Sequence, residues 1–166
     1  MTTADDLIPS LERTVNDLLA EVGQLPVDVL YREPMAGEWP VMSILAHLAE
    51  LLPFWAREAA DLAREPGKAV GRALDDPRRV GAIEQHGHDS IADILPRIRA
   101  GLGECESTLR TIPSDAWHVV GQHPTRGPMS VEQLVQAFVA NHAAEHARQI
   151  RETLQTLGAG QSSQIP

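Results

Sequence analysis

The residues best suited to chemistry lie in Asn141-His142-Ala143-Ala144-Glu145-His146-Ala147-Arg148-Gln149-Ile150. They sit within a run from Met129 to Leu157 that contains neither Pro nor Gly. Its apolar positions, Val131, Leu134, Val135, Phe138, Val139, Ile150, Leu154 and Leu157, recur at spacings of three and four. That period predicts one buried stripe on one helix. His142 and His146 continue the stripe from Phe138, because each step of four residues advances only ~40° around a helix. Two imidazoles one turn apart then face a core where water cannot satisfy them, and such a pair can grip one metal ion. The plain alternative is a pair of core histidines that donate to backbone carbonyls. A third ligand from elsewhere decides between the two.

The elements that must supply that ligand follow from the same periodicity. Residues 4–22 place Leu7, Leu11, Val15, Leu18 and Val22 on one stripe, with Gly23 at the end, and predict a first helix. Residues 24–39, with Pro26, Pro34 and Gly37, predict a loop. A second helix starts near Pro40, a residue suited to a first turn, with Ile44, Leu48, Leu51, Leu52 and Trp55 on its stripe. Pro53 is expected to kink or split it. Residues 65–81 predict an exposed crossover, and a third helix spans roughly His88 to Thr111, weakened by Pro96, Gly101 and Gly103. Residues 113–128 predict a second loop, and Ser130 is the expected N-cap of the last helix. With no strand signal, the fold class is all-α, a four-helix bundle forming a single domain over residues 1–158, followed by a flexible tail at 159–166. A faint echo relates Leu25-Pro26-Val27-Asp28 and Gly37-Glu38-Trp39-Pro40-Val41 to Ile112-Pro113-Ser114-Asp115 and Gly127-Pro128-Met129-Ser130-Val131.

His47 is the third candidate ligand, three residues after Ile44 and four before Leu51 and so toward the bundle interior or its edge. Alone it reads as a boundary histidine. With His142 and His146 it makes three imidazoles from two helices, a set that leaves positions open for water or substrate.

Gly37-Glu38-Trp39-Pro40-Val41 with Ile44-Leu45-Ala46-His47-Leu48-Ala49-Glu50, and then Gly127 through Leu134 with Asn141 through Ile150, resemble the two motifs of the DinB/YfiT-like metalloprotein superfamily. The resemblance implies an up-down-down-up four-helix bundle, often a homodimer. It implies a divalent metal (zinc, nickel or iron) on His47, His142 and His146. It also implies a small-molecule substrate and, in some members, a low-molecular-weight thiol such as mycothiol or bacillithiol used in transfer or isomerisation. A bound divalent cation could equally activate water for hydrolysis. A non-catalytic metal-binding or interaction module is the competing class, and the openness of the space above the metal separates it from an enzyme.

Other residues are expected to stay outside the chemistry. Glu50, one turn after His47, could orient a ligand or take a proton, but like Glu145, Arg148 and Gln149 it reads as a solvated helix position. Trp39 and Trp117 read as core plugs at loop–helix junctions. His86 and His88 are expected to be exposed and His118 to lie in the second loop. His123 shares that loop, which could close over one end of the bundle. Cys105 reads as a small buried hydrophobe. His142-Ala143-Ala144-Glu145-His146 also matches the H-x-x-E-H pattern of inverzincin peptidases, whose large fold does not suit this chain. A di-iron bundle would need Glu-x-x-His pairs, and there are none.

Composition bounds the rest. The 166 residues carry a net charge of −9, with 43% hydrophobic and 22% charged residues. This is ordinary for a single globular domain and argues against nucleic acid or an anionic membrane as partner. No apolar segment approaches the ~20 residues needed to span a bilayer. One cysteine and an N-terminal stretch without signal-peptide features lead to the expectation of a cytoplasmic protein.

Overall fold

The computed structural model describes residues 3–158, so the expected tail at 159–166 lies outside the described residues. Helix α1 covers Ala4–Val22, and a single turn α2 covers Val27–Leu30. Helix α3 runs Val41–Arg64, α4 Pro77–His86 and α5 Ile91–Arg110. A 3-10 turn at Ser114–Ala116 precedes strands β1, Val120–His123, and β2, Gly127–Ser130. The last long helix is composite: α6, Val131–Val135, a π turn, Gln136–Ala140, and α7, Asn141–Thr156. Four long helical rods therefore pack as a bundle around one apolar cluster, as the periodicity predicts.

Helix α3 is the central rod, and its buried residues cover most of its circumference, including Val41, Met42, Ile44, Leu45, Leu48, Leu51 and Leu52. Pro53 does not split it. That proline lacks the N–H that would bond the carbonyl of Ala49, and α5 makes its closest approach at this point. A Cβ placed on Gly101 would lie 2.7 Å from the Ala49 oxygen and 3.4 Å from Pro53 Cδ. One turn further on, Arg57 of α3 pairs with Glu104 of α5. Both contacts advance together along the two rods, so α3 and α5 run parallel. The ion pair between Glu21 and Arg151 likewise joins the C-terminal parts of α1 and α7. This is the up-down-down-up arrangement.

Gly101 is therefore placed for close contact, and the obstacle to a side chain is backbone. Gly101→Ala is expected to lower stability by about 1–2 kcal/mol, despite the roughly 1 kcal/mol that Ala gains in helix propensity. Thermal melts check this: a midpoint at or above that of the parent would show that α5 can shift away freely.

Two expectations are corrected here. The crossover at 65–81 is not simply exposed loop, because α4 begins within it. Pro77 occupies the first turn, and the Asp76 carboxylate accepts from the Arg78 N–H at 3.0 Å, so Pro77 starts this helix. The second loop holds a β-hairpin in which Val120 faces Ser130 and His123 faces Gly127. The crossover pairs with it: Gln122 N–H donates to Lys68 at 2.9 Å, and Val70 N–H donates to Gln122 at 3.0 Å. Three short extended segments thus cap one end of the bundle. They were hidden in sequence because their apolar pattern is too short to register.

The loop echo has a counterpart in structure. Pro26 and Pro113 each start a single helical turn. Gly37 and Gly127 each adopt positive φ, 81° and 72°, shortly before a long helix begins. Ser130 caps α6 as expected, with a reciprocal bond from Ser130 N–H to the Gln133 side chain at 2.9 Å.

Candidate metal centre

His47 sits in the second turn of α3, and His142 and His146 open α7 immediately after the π turn. An i→i+5 turn carries one extra residue, which rotates everything after it relative to the stripe before it. The side chains of Gln136 and Asn141 bridge this turn at 2.8 Å. The three histidines come together. Their ring centroids are 5.8 Å apart for His47–His142, 5.0 Å for His47–His146 and 4.6 Å for His142–His146. One ring nitrogen from each lies within 4.8 Å of the others, close enough to share a single ion.

The hydrogen bonding favours that use. His146 Nδ1 lies 3.0 Å from Gln149 Oε1, and an amide oxygen only accepts, so Nδ1 carries the proton and Nε2 keeps its lone pair. That Nε2 is buried without a hydrogen-bond partner, and so is Nδ1 of His47. Orphaned buried nitrogens are rare and demand a reason. A metal ion among the three rings would satisfy Nε2 of His146, while Nδ1 of His47 has the Glu50 carboxylate 3.9 Å away, beyond hydrogen-bond reach. The donor set fits a borderline-soft divalent cation.

Electrostatics agree. Burial, reinforced by repulsion from His146 and Arg79, pushes the His47 imidazole down to about 2. The same causes push His142 down to about 4. Burial also lowers His146, opposed by Gln149 and Glu145. All three rings are therefore neutral near pH 7, the form that ligates metals.

The cluster forms one wall of a cavity of about 1000 Å³. Its apolar side consists of Trp55, Phe138 and His123 in near-parallel planes, with Trp55 and Phe138 at 4.1 Å and His123 and Phe138 at 4.9 Å. The hairpin and the crossover roof it. Gly71, at φ +98°, passes so close that a Cβ there would lie 2.9 Å from the His123 ring. His123 is thus buried by the loop that closes over the bundle end, as anticipated, but it stays outside the three-histidine cluster.

Two positions expected at the surface, Glu50 and Gln149, belong to this site. Glu50 is largely buried and grips Arg72 with both oxygens, Nη2 to Oε2 at 2.6 Å, while its carboxylate lies 3.9 Å from His47 Nδ1. Gln149 orients His146. Trp39 meets the His47 ring edge-on at 5.6 Å and is only partly buried. His86 is half-buried, bonded to Asp89 at 2.8 Å. The remaining readings hold. Arg148 is exposed and pairs with Glu152, Trp117 is core, His88 and His118 are exposed, and Cys105 is buried with its thiol pushed up to about 12, chiefly by desolvation. Glu145 is exposed, yet it lines the cavity mouth.

Gln149 carries a testable consequence. Gln149→Ala is expected to weaken metal affinity by about 10–100-fold, because the ring then loses the acceptor that fixes its tautomer. Competition with a chromophoric chelator measures this, and an unchanged affinity would remove Gln149 from the site.

Among solved structures, YfiT from Bacillus subtilis, described as a probable metal-dependent hydrolase with an unusual four-helix bundle topology, matches with TM-score 0.73. Identity is 17%, over 93% of this chain and 87% of that one. A mycothiol-dependent maleylpyruvate isomerase matches with TM-score 0.60 and 12% identity, over 96% of this chain. This chain spans only 64% of the length of that isomerase. TT2238, a four-helix bundle protein, matches with TM-score 0.57 and 21% identity, over 90% of this chain and 99% of that one. At such identities these likenesses establish the fold alone. Among proteins with curated functions, none matches this sequence. The family model of the DinB superfamily matches residues 10–150, and the chain belongs to that superfamily.

Proposed function

We propose that His47, His142 and His146 hold one divalent metal ion, zinc, nickel or iron, and that the protein is a metal-dependent enzyme acting on a small molecule. The reaction we propose is thiol-dependent transfer or isomerisation with a low-molecular-weight thiol of the mycothiol or bacillithiol type. The observation that carries the reading is the position of the three histidines on the wall of an open cavity, which leaves room for substrate beside the ion. A purely structural site would be closed by protein ligands. The isomerase with the same fold supports the choice of a thiol.

Bound in this donor set, the ion would supply a Lewis acid that keeps a thiol or a water deprotonated near neutral pH. The chain's own residues do the rest. Gln149 holds the His146 tautomer, and the Arg72–Glu50 pair ties the crossover to α3 beside His47. Trp55 and Phe138 exclude water from one side of the cavity, and Glu145 at the mouth can accept a proton. Hydrolysis is the second reading, favoured by the likeness to YfiT and by the same carboxylate.

The test is elemental analysis of untagged protein purified without added metal, followed by electrophile turnover with and without each thiol. About one equivalent of metal and thiol-dependent turnover would support the transferase. Turnover with water alone would select the hydrolase. Protein that neither carries nor takes up metal would overturn both.

A further inference from the structure

The chain has a net charge of −9, yet the charged groups lining the histidine cavity are three guanidiniums, Arg72, Arg79 and Arg126, against one carboxylate, Glu145. Arg72 is already neutralised by Glu50 and lies 3.9 Å from Asp76. Arg79 is not. Among the described residues it forms no salt bridge, and its hydrogen bond goes to the Leu74 carbonyl at 2.7 Å. A guanidinium offers five N–H donors, so most of its capacity is free. It is partly buried, and its carbon lies 5.1 Å from the centre of the Trp39 ring, the ring whose edge meets His47. Burial and the neighbouring Arg72 both work against its charge, and Glu50, whose carboxylate is taken up by Arg72, offsets them only in part. A partly desolvated cation without a counterion is held unfavourably until an anion arrives. Arg126 comes from the hairpin turn, and its guanidinium lies 4.7 Å over the Phe138 ring, beside the aromatic side of the cavity.

We infer that this cavity is an anion-selective substrate site in which Arg79, assisted by Arg126, receives a carboxylate of the bound small molecule while Trp55 and Phe138 take its apolar body. The inference rests on reading the cavity as a substrate site and does not depend on which metal occupies the histidines. A planar guanidinium pairs with a carboxylate through two parallel bonds, which makes Arg the suited residue. The carboxylate can belong to the acceptor substrate or to the thiol.

Calorimetric titration with benzoate and its neutral isostere benzamide tests this, on chelator-treated and on zinc-loaded protein. Benzoate is expected to bind at least about tenfold more tightly than benzamide in both forms, and added salt should erode the difference. Arg79→Gln should abolish the preference, Arg79→Lys should restore part of it, and Arg126→Gln should reduce it by roughly threefold. Arg79→Lys keeps stem and charge, so its partial recovery separates recognition from folding. Equal binding of benzoate and benzamide would overturn the inference. So would a preference that persists in Arg79→Gln. Benzoate binding that requires zinc and ignores Arg79 would also overturn it while leaving the metal centre standing. Arg79-dependent binding in protein that never takes up metal would uphold it and remove the metal reading. With zinc-loaded protein, 3-mercaptopropionate that displaces benzoate and weakens in Arg79→Gln assigns the carboxylate to the thiol. Simultaneous binding of both assigns it to the acceptor substrate.

Discussion

His146→Ala is expected to weaken metal binding on the order of a thousandfold and so to abolish stoichiometric metal in purified protein. The magnitude follows from sharing the roughly 10–16 kcal/mol typical of a zinc site among its ligands, about 4 kcal/mol each. His142→Ala should act similarly, and because His142 is only half-buried its fold should be least disturbed. His47 gives the most informative variant. Its Nδ1 is buried without a partner, which in metal-free protein costs about 1–3 kcal/mol. His47→Leu should therefore lose the metal while leaving metal-free stability unchanged or higher. Residues kept only for packing behave in the opposite way, since truncation destabilises them. Elemental analysis, chelator competition and urea denaturation of metal-free protein check the three variants together. Stoichiometric metal retained in His146→Ala would sink the proposed ligand set.

The histidine cluster was legible because helical period sets His47, His142 and His146 on or beside interior faces. What surrounds them was not, for reasons particular to each residue. The π turn leaves no mark in sequence: Phe138, His142 and His146 are spaced by fours and read as one straight stripe whether or not the helix widens at Gln136–Ala140. Helix α4 is concealed because Pro77 and Gly81 read as breakers within the 65–81 crossover, although a proline after Asp76 is a start signal. The hairpin escaped because each strand is four residues long and carries Gly or Pro. Arg72 found its partner 22 residues back, across a crossover whose path sequence cannot give. Glu50 and Gln149 could have been found. Each lies three residues after a candidate ligand, one on α3 and one on α7, and that spacing puts an acceptor beside the imidazole. The repetition of His-x-x-acceptor on two helices is the signal, and a solvated helix surface is the wrong reading of it.

Metal-free protein is expected to lose stability steadily as the pH falls from 7 to 5. In the fold, burial holds His47 down at about 2 and His142 at about 4, with His146 also lowered. In the unfolded chain the same imidazoles titrate near 6.5. Below that value the unfolded state binds protons that the folded state refuses, so the stability present above pH 6.5 is lost as the medium acidifies. The window opens near 6.5, closes near 4 for His142 and extends toward 2 for His47. Each imidazole contributes at most about 1.4 kcal/mol per pH unit inside its window, so two of them over the 1.5 units to pH 5 give roughly 2–4 kcal/mol. Urea denaturation in chelator at pH 7, 6 and 5 measures the slope, and a His47→Leu, His142→Leu double variant should be nearly flat. A parent protein as stable at pH 5 as at pH 7 would mean that the rings take up protons in place, and that the site is wetter than its geometry implies. The same depression bears on ligation. Rings already neutral in the fold release few protons when they bind metal, so affinity should change little between pH 7.5 and 6, where imidazoles of ordinary basicity become half protonated. A steep fall in affinity across that interval would point to the same wetter site.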